Sequence, residues 1–325
     1  MTELDLGARG RVPTTVVSGF LGAGKTTLVN HLVGARAGRE RIGVVVNEAG
    51  DIGVDGELLG DVGDDVVEIA DGCVCCTSQG ELLDAITRLH RAAGRLDRII
   101  VETSGLADPG PVIDALASIT HVLRLDTMVT VVDALHALDQ LDRTESPEAH
   151  HQLQLATHVV VSKVDIAGGA DVERVRARVR ALNPSARVFS ERREELDPEL
   201  LLDRFALAPA DEDDDHADAH DGDHEHLEVE IFSVQLPGEL DALRFESWLG
   251  GLLMLNAEDV FRIKAILAVA GEPRRQIVHG VQTYVESGPG REWEPGEPRT
   301  SRIVVIGRAL EHDRWRDELR RCVAA

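Results

Sequence analysis

The sequence predicts an α/β chain whose larger part is built on a mostly parallel sheet, followed by a smaller α+β domain. Three observations predict it. A β-branched run, Thr14-Thr15-Val16-Val17-Ser18, leads into a glycine-rich loop and then into a helix-patterned segment. Further short apolar runs at residues 42–46, 66–69, 98–102, 127–132 and 158–162 recur with helical segments between them, the alternation that builds parallel sheets. Residues 211–226 contain nine acids, four histidines (His216, His220, His224 and His226) and no lysine or arginine. No core can be made from such a stretch, so it reads as a disordered linker.

These features divide the 325 residues into a nucleotide-binding domain over 1–208, a linker over 209–226 and a C-terminal domain over 227–325. Hydrophobic residues make up 43% and aromatics only 3%, so the cores must be built mostly from Val, Leu, Ile and Ala. The net charge of −24 repels phosphate backbones and anionic lipid, which argues against nucleic acid and membranes as partners. Residues 1–12 carry no signal-like apolar stretch, and no run reaches the length of a membrane span. A reducing cytoplasm is therefore the expected compartment, where clustered cysteines more often bind metal or do redox work than form disulfides.

The first strand delivers Gly19-Phe20-Leu21-Gly22-Ala23-Gly24-Lys25-Thr26-Thr27, a complete Walker A loop. Leu28, Leu32 and Ala35 then follow at helical spacing. Glycines let the backbone close round phosphates at a helix N-terminus. Gly22, Ala23, Gly24, Lys25, Thr26 and Thr27 are thus the expected phosphate cradle, with Lys25 on the β and γ phosphates and the Thr26 hydroxyl on Mg²⁺. The domain is a P-loop NTPase. The strand at 98–102 ends in Glu102, three residues before Gly105. That is the pattern of a γ-phosphate sensor, the acid holding Mg²⁺ or its water and the glycine N–H meeting the phosphate.

Base choice is read at Ser162-Lys163-Val164-Asp165, after the 158–162 strand. Guanine offers two adjacent donors that one carboxylate accepts together, whereas adenine presents an acceptor there. Asp165 would pair with the base and the Lys163 stem would cover its face, so GTP is the expected nucleotide. Ser162 stands where asparagine is commonest in GTPases.

Three of the four cysteines fall in Gly72-Cys73-Val74-Cys75-Cys76-Thr77, and the fourth is Cys322. In an extended segment Cys73 and Cys75 face the same way, and a turn would bring Cys76 beside them. Three thiolates suit zinc or Cu(I); packing as small apolar side chains, or oxidation of a pair, are the competing readings. The acidic loop around Glu48, Asp51 and Asp55 follows a neighbouring strand, and such loops at strand carboxyl ends are where ligands bind. The linker histidines are either a metal-collecting tether or a solvated spacer.

In the C-terminal segment, 227–234, 260–268, 276–285 and 301–306 read as strands, and the apolar pattern through Leu240, Leu243, Trp248, Leu249 and Leu252, and then 313–323, as helices. His279 and His312 read as isolated, and Trp248, Phe261, Tyr284 and Trp293 as core aromatics. No catalytic set is evident there.

Taken together, the Walker A loop, Asn47-Glu48, Cys73-Val74-Cys75-Cys76, Glu102-Thr103-Ser104-Gly105-Leu106-Ala107-Asp108-Pro109 and Ser162-Lys163-Val164-Asp165 resemble the CobW-like family of P-loop GTPases, which contains metallochaperones and cobalamin-synthesis proteins. Phe261-Arg262-Ile263-Lys264 and the strand leading to Gly307-Arg308 are similar to that family's C-terminal domain. Ala49 stands where members usually carry phenylalanine, and Ala265 where glycine usually follows the lysine. The resemblance implies zinc or cobalt carried at Cys73, Cys75 and Cys76, with Glu48 as the acidic ligand, and delivered to a client protein under control of GTP. No arginine finger or water-positioning glutamine is identifiable, so slow intrinsic GTP hydrolysis is expected, raised by homodimerisation or by the client. A regulatory switch with a structural zinc, transferring nothing, is the alternative; a thiol redox protein is disfavoured because Cys75 and Cys76 are vicinal.

Overall fold

The computed structural model describes residues 11–48, 66–72, 84–86, 89, 96–141, 147–190, 195–202 and 229–324. The chain divides into two compact units, residues 1–206 and 207–325. The linker over 209–226 lies outside the described residues.

In the first unit seven strands form one sheet in the order β3-β2-β4-β1-β5-β6-β7. They are β1 (Val12–Gly19), β2 (Ile42–Glu48), β3 (Val66–Gly72), β4 (Arg98–Glu102), β5 (Leu123–Asp133), β6 (His158–Ser162) and β7 (Arg187–Phe189). All their pairings are parallel. Strands buried on both faces read as continuous apolar runs, and β4 is buried at every position. The helices that return the chain include α1 (Lys25–Arg36), α2 (Gly110–Ser118), α3 (Ala137–Leu141), α4 (Pro147–Gln154) and α5 (Gly169–Leu182). Leu28, Val29, Leu32 and Val33 of α1 are buried against Val44, Val46 and Ile100 of the sheet.

Several strands outrun their expected ends, β2 and β5 among them. β2 continues through Asn47 and Glu48 rather than stopping at Val46, because β3 pairs with it as far as Glu48 opposite Gly72. β5 begins at Leu123 rather than Thr127. The obstacle to reading it was Asp126, fully buried and hydrogen-bonded at 3.2 Å by the equally buried Arg98 of β4, whose Nε also meets Glu40 at 2.8 Å. A buried carboxylate is tolerated only when paired in this way.

The second unit is a five-stranded antiparallel sheet in the order β11-β10-β9-β12-β8. It contains β8 (Glu230–Pro237), β9 (Val260–Leu267), β10 (Arg274–Val281), β11 (Tyr284–Glu292) and β12 (Thr300–Gly307), with α6 (Ala242–Asn256) and α7 (His312–Arg321). Phe245, Trp248 and Leu252 of α6 and Trp315 and Leu319 of α7 share one core with Phe232, Ile263, Val278 and Val305. Trp315 meets Phe232 edge-on, ring centres 5.6 Å apart.

Residues 276–285 are not one strand. Gln282 turns the chain with φ 50° and donates its N–H to the Phe261 carbonyl at 3.1 Å, splitting the run into the hairpin β10–β11. Glutamine and threonine carry no turn signal, and the glycine or asparagine such a turn favours is absent. His312 is not isolated either: its Nε2 lies 3.2 Å from Glu230 and its ring meets Phe232 edge-on. Trp248, Phe261 and Tyr284 are buried, whereas Trp293 is half-exposed and carries the Arg275 guanidinium 4.6 Å above its ring.

Candidate functional site at the carboxyl edge of the parallel sheet

β1 ends at the loop that the sequence marks as a phosphate cradle. Gly22 and Gly24 adopt φ 71° and 98°, a left-handed conformation that side chains resist. Between them Ala23 is buried and donates its N–H to the Phe20 carbonyl at 3.1 Å. α1 begins at Lys25 after Gly24, which supplies no side-chain cap. The first-turn N–H groups of Lys25, Thr26 and Thr27 have no partner within the helix, and the helix dipole adds positive potential at the same point. A phosphate satisfies both. Lys25 is buried and its Nζ donates to the Phe20 carbonyl at 3.1 Å, folding the ammonium back over the loop.

Glu102, at the end of β4, lies next to this loop. The Thr26 hydroxyl donates to its Oε1 at 2.8 Å across 76 residues of sequence, and the carboxylate is buried. Two hard oxygen donors in contact are what Mg²⁺ selects, so the chemistry of this pair fits that ion. Gly105 approaches so closely that a Cβ there would lie 2.6 Å from the Leu21 N and Cα. Only glycine allows the two loops to meet backbone to backbone.

The loop after Gly105 is held from α4, by a residue that no motif announced, and by its own Asp108. Gln152 of α4 donates its amide to the Ala107 carbonyl at 2.8 Å and to the Gly105 carbonyl at 3.3 Å. Asp108 accepts from the Gly110 N–H at 2.8 Å and lies 2.7 Å from His151 Nδ1. Burial alone would raise the Asp108 pKa, but the bonds from His151 and Gly110 outweigh it and hold the carboxyl below its ordinary value.

On the other side of the loop, Ser162 closes β6 and its hydroxyl donates to the Ala23 carbonyl at 2.7 Å. The side chain shorter than asparagine therefore still ties the end of β6 to the glycine-rich loop after β1. Lys163 follows with φ 58°, and its Nζ reaches the Asp133 carboxylate at 2.6 Å. Asp133 also accepts from the Leu135 N–H at 2.8 Å and lies 2.9 Å from His136 Nδ1. Burial pushes the Asp133 pKa up, yet Lys163, His136 and the Leu135 amide together bring it below the ordinary carboxylate value. Asp133 thus braces Lys163. Asp165 is exposed two residues further on.

Cys73, Cys75 and Cys76 lie outside the described residues, as does the Glu48 carboxylate. Among the described residues no three His, Cys, Asp or Glu side chains converge as a metal site. What the backbone gives is register: Glu48 is opposite Gly72 across the β2–β3 pair, strands about 4.8 Å apart, and Cys73 is the next residue in sequence. Cys322 belongs to the second unit, buried with its Sγ 3.5 Å from the Glu318 carbonyl, and burial pushes its pKa up.

Together, the cradle, the Thr26–Glu102 contact and the Ser162–Lys163–Asp165 strand end define a P-loop nucleotide-binding protein. Residues 13–190 match the CobW/HypB/UreG nucleotide-binding domain and residues 229–323 the cobalamin synthesis protein cobW C-terminal domain. The chain belongs to this family of P-loop GTPases. It is 36% identical to the zinc chaperone CobW of Pseudomonas aeruginosa, over 99% of this chain and 94% of that protein. It is 30% identical to the zinc chaperone YjiA of Escherichia coli, over 94% and 96%. The crystal structure of Zn(II)-bound YjiA GTPase from E. coli superimposes with a TM-score of 0.67 at 26% identity, covering 97% of this chain and all of the other. No helix among the described residues is long and apolar enough to cross a membrane.

Proposed function

We propose that the protein is a GTP-hydrolysing metallochaperone that binds zinc at Cys73, Cys75 and Cys76 with Glu48 and passes it to a client metalloprotein. The observation that carries this reading is the Glu48–Gly72 register. It sets the end of β3, one residue before the cysteine run in sequence, opposite Glu48, and β2 pairs with β4 next to Glu102. Thiolates are the donors zinc favours, and three of them with a carboxylate suit a cation that must be released better than four thiolates do. The same donor set accepts cobalt; zinc is preferred because the similar chaperones are named for it.

In the nucleotide site Lys25 and the α1 N-terminus neutralise the β and γ phosphates. Thr26 with Glu102 would hold Mg²⁺, which when bound would supply further charge neutralisation to phosphoryl transfer. Gly105 meets the γ-phosphate, while Ser162, Lys163 and Asp165 hold guanine. Hydrolysis is slow because no side chain among these orients the attacking water. Glu48 ends a strand two positions beyond Val46, which pairs with Glu102. A loop shared by metal and γ-phosphate makes the two affinities reciprocal, typically by about one to three kcal/mol.

The test is zinc affinity measured with a non-hydrolysable GTP analogue, with GDP and without nucleotide. The expected result is a difference of about 5- to 150-fold between the GTP-like and GDP states, with binding lost in the Cys73→Ser/Cys75→Ser/Cys76→Ser variant. Equal affinity in all three states sinks the coupling. Zinc that exchanges only on unfolding favours a regulatory switch with a structural metal.

A further inference from the structure

The second unit carries an open groove of about 510 Å³ between α6 and α7. Trp248, Leu252 and Trp315 line it from the buried side, and Leu243 and Leu255, 76% and 70% exposed, stand at its two ends on α6. Met254 beside them is 86% exposed. Large aliphatic side chains grouped on one helix and left in water mark an interaction surface rather than scattered exposure.

The middle of α6 says what shape fits. Gly250 and Gly251 sit at the centre of a 15-residue helix, where glycine is unfavourable relative to alanine. A Cβ on either would meet nothing within 4 Å, so packing inside the chain does not require glycine. Leu243, Ser247, Gly251 and Leu255 follow at four-residue intervals and all line the groove. The helix therefore offers a bare backbone between two leucines, two turns from Leu243 and one from Leu255, where another backbone can approach closely. A helix matching α6 would be about 22 Å long at the usual rise per residue.

Charge says what chemistry fits. In a chain of net charge −24, the groove is lined by Arg244, Arg314 and Arg321 against the single carboxylate of Glu318. Arg314 is held by Glu311 and Glu318. Arg244 donates to the Arg321 carbonyl at 3.2 Å, and neither Arg244 nor Arg321 has a carboxylate partner among the described residues. A second copy docked groove to groove would set these arginines against themselves.

We propose that this groove receives an amphipathic helix of a partner protein, with leucine-like side chains on one face and aspartate or glutamate along its flanks. Helix-in-groove recognition of this kind reads apolar anchors at i, i+4 and i+7, and flanking charge selects among partners. The proposal stands on the second unit alone and does not depend on the metal or its cysteines.

The experiment displays a library of 16-residue helical peptides to the full chain. Leucine anchors are fixed, and flank positions are drawn from Glu, Lys and Gln. The recovered pool should be rich in Glu. A resynthesised member, followed by fluorescence anisotropy, should bind at least tenfold more weakly to Arg244→Glu/Arg321→Glu and not at all to Gly251→Leu, with Gly251→Ala between the parent and Gly251→Leu. Melting temperatures at or above the parent's for both glycine variants would show that the groove is filled, not unfolded. A Lys-rich or charge-indifferent pool overturns the proposal, as does binding that Gly251→Leu leaves intact. Sedimentation showing a dimer that Gly251→Leu abolishes would assign the groove to a second copy and overturn it as well.

Discussion

In the first unit every paired strand runs parallel, so the chain returns by crossovers and the carboxyl ends of the strands open at one edge. In the second unit neighbouring strands alternate, and their connections emerge at both ends of the sheet. The consequence is visible in where buried polar groups collect. Lys25 follows β1, Glu102 ends β4, Asp133 ends β5 and Ser162 ends β6, and three contacts of 2.6 to 2.8 Å tie these ends or the loops that follow them. The antiparallel unit does not bring its strand ends to one edge: its buried His279 is in mid-strand, Arg275 and Arg291 meet Glu297 beside the β10–β11 hairpin, and a helical groove is open on its surface. A parallel sheet gathers chemistry from distant sequence; an antiparallel one offers a surface.

The sharpest way to break this contrast is Lys25→Ala. If the carboxyl edge carries phosphoryl transfer, removing one preorganised cation should lower kcat for GTP hydrolysis by about 10²- to 10³-fold. Circular dichroism and thermal stability should hardly change, because alanine is a good helix former at the start of α1. A variant that keeps most of its turnover, measured by phosphate release, would mean that the edge binds nucleotide but does not perform the chemistry.

Legibility follows the same contrast. The cradle, Glu102, Gly105 and Ser162-Lys163-Asp165 could be read because each motif is local: a few adjacent residues whose conformation and role are set together. Gln152, Asp133 and the Arg98–Asp126 pair could not, because each acts across strand or helix register on residues 28 to 47 positions away. Alternation of apolar runs was enough for the parallel sheet, whereas the β10–β11 hairpin was missed at Gln282, where φ 50° is imposed by tertiary packing on a residue with no turn preference. At the carboxyl edge, the Thr26–Glu102 and Gly105–Leu21 approaches join residues that the motifs name, whereas Gln152 and Asp133 stand outside every motif.

A second measurement sharpens the contrast from the other unit. His279 on β10 is buried, and neither ring nitrogen has a hydrogen-bond partner among the described residues. In register it lies between Lys264 of β9 and Glu286 of β11. Burial first, then the positive charges of Arg262 and Lys264, lower its pKa from 6.5 to about 4. Above pH 6.5 the imidazole is neutral in both folded and unfolded chains. As pH falls from there towards about 4, the unfolded chain takes up the proton that the folded one refuses, so stability present at neutral pH is lost. Between pH 7 and pH 5 the loss is about 2 kcal/mol. Urea titrations should show that drop in the parent and a smaller one in His279→Leu, with kcat at pH 7 unchanged. An equal drop in both would remove His279 as its source.

The smallest expected effect tests how the strand ends of the first unit communicate. Ser162 Oγ donates to the Ala23 carbonyl, and Ala23 is itself buried in the phosphate loop. In Ser162→Ala that carbonyl loses its donor, a change of about 0.5 to 1.5 kcal/mol for a neutral hydrogen bond. Since the bond links the end of β6, the strand proposed to hold guanine, to the cradle, its loss should weaken GDP and GTP alike, by roughly 3- to 10-fold, and leave kcat at saturating GTP within about twofold. Ser162→Asn should restore affinity if reach to Ala23 is the whole requirement, since its amide supplies the same donor from a longer side chain. Fluorescent-nucleotide titration separates the outcomes: a fall in kcat without a fall in affinity would show that the bond positions the reacting phosphate rather than the nucleotide as a whole.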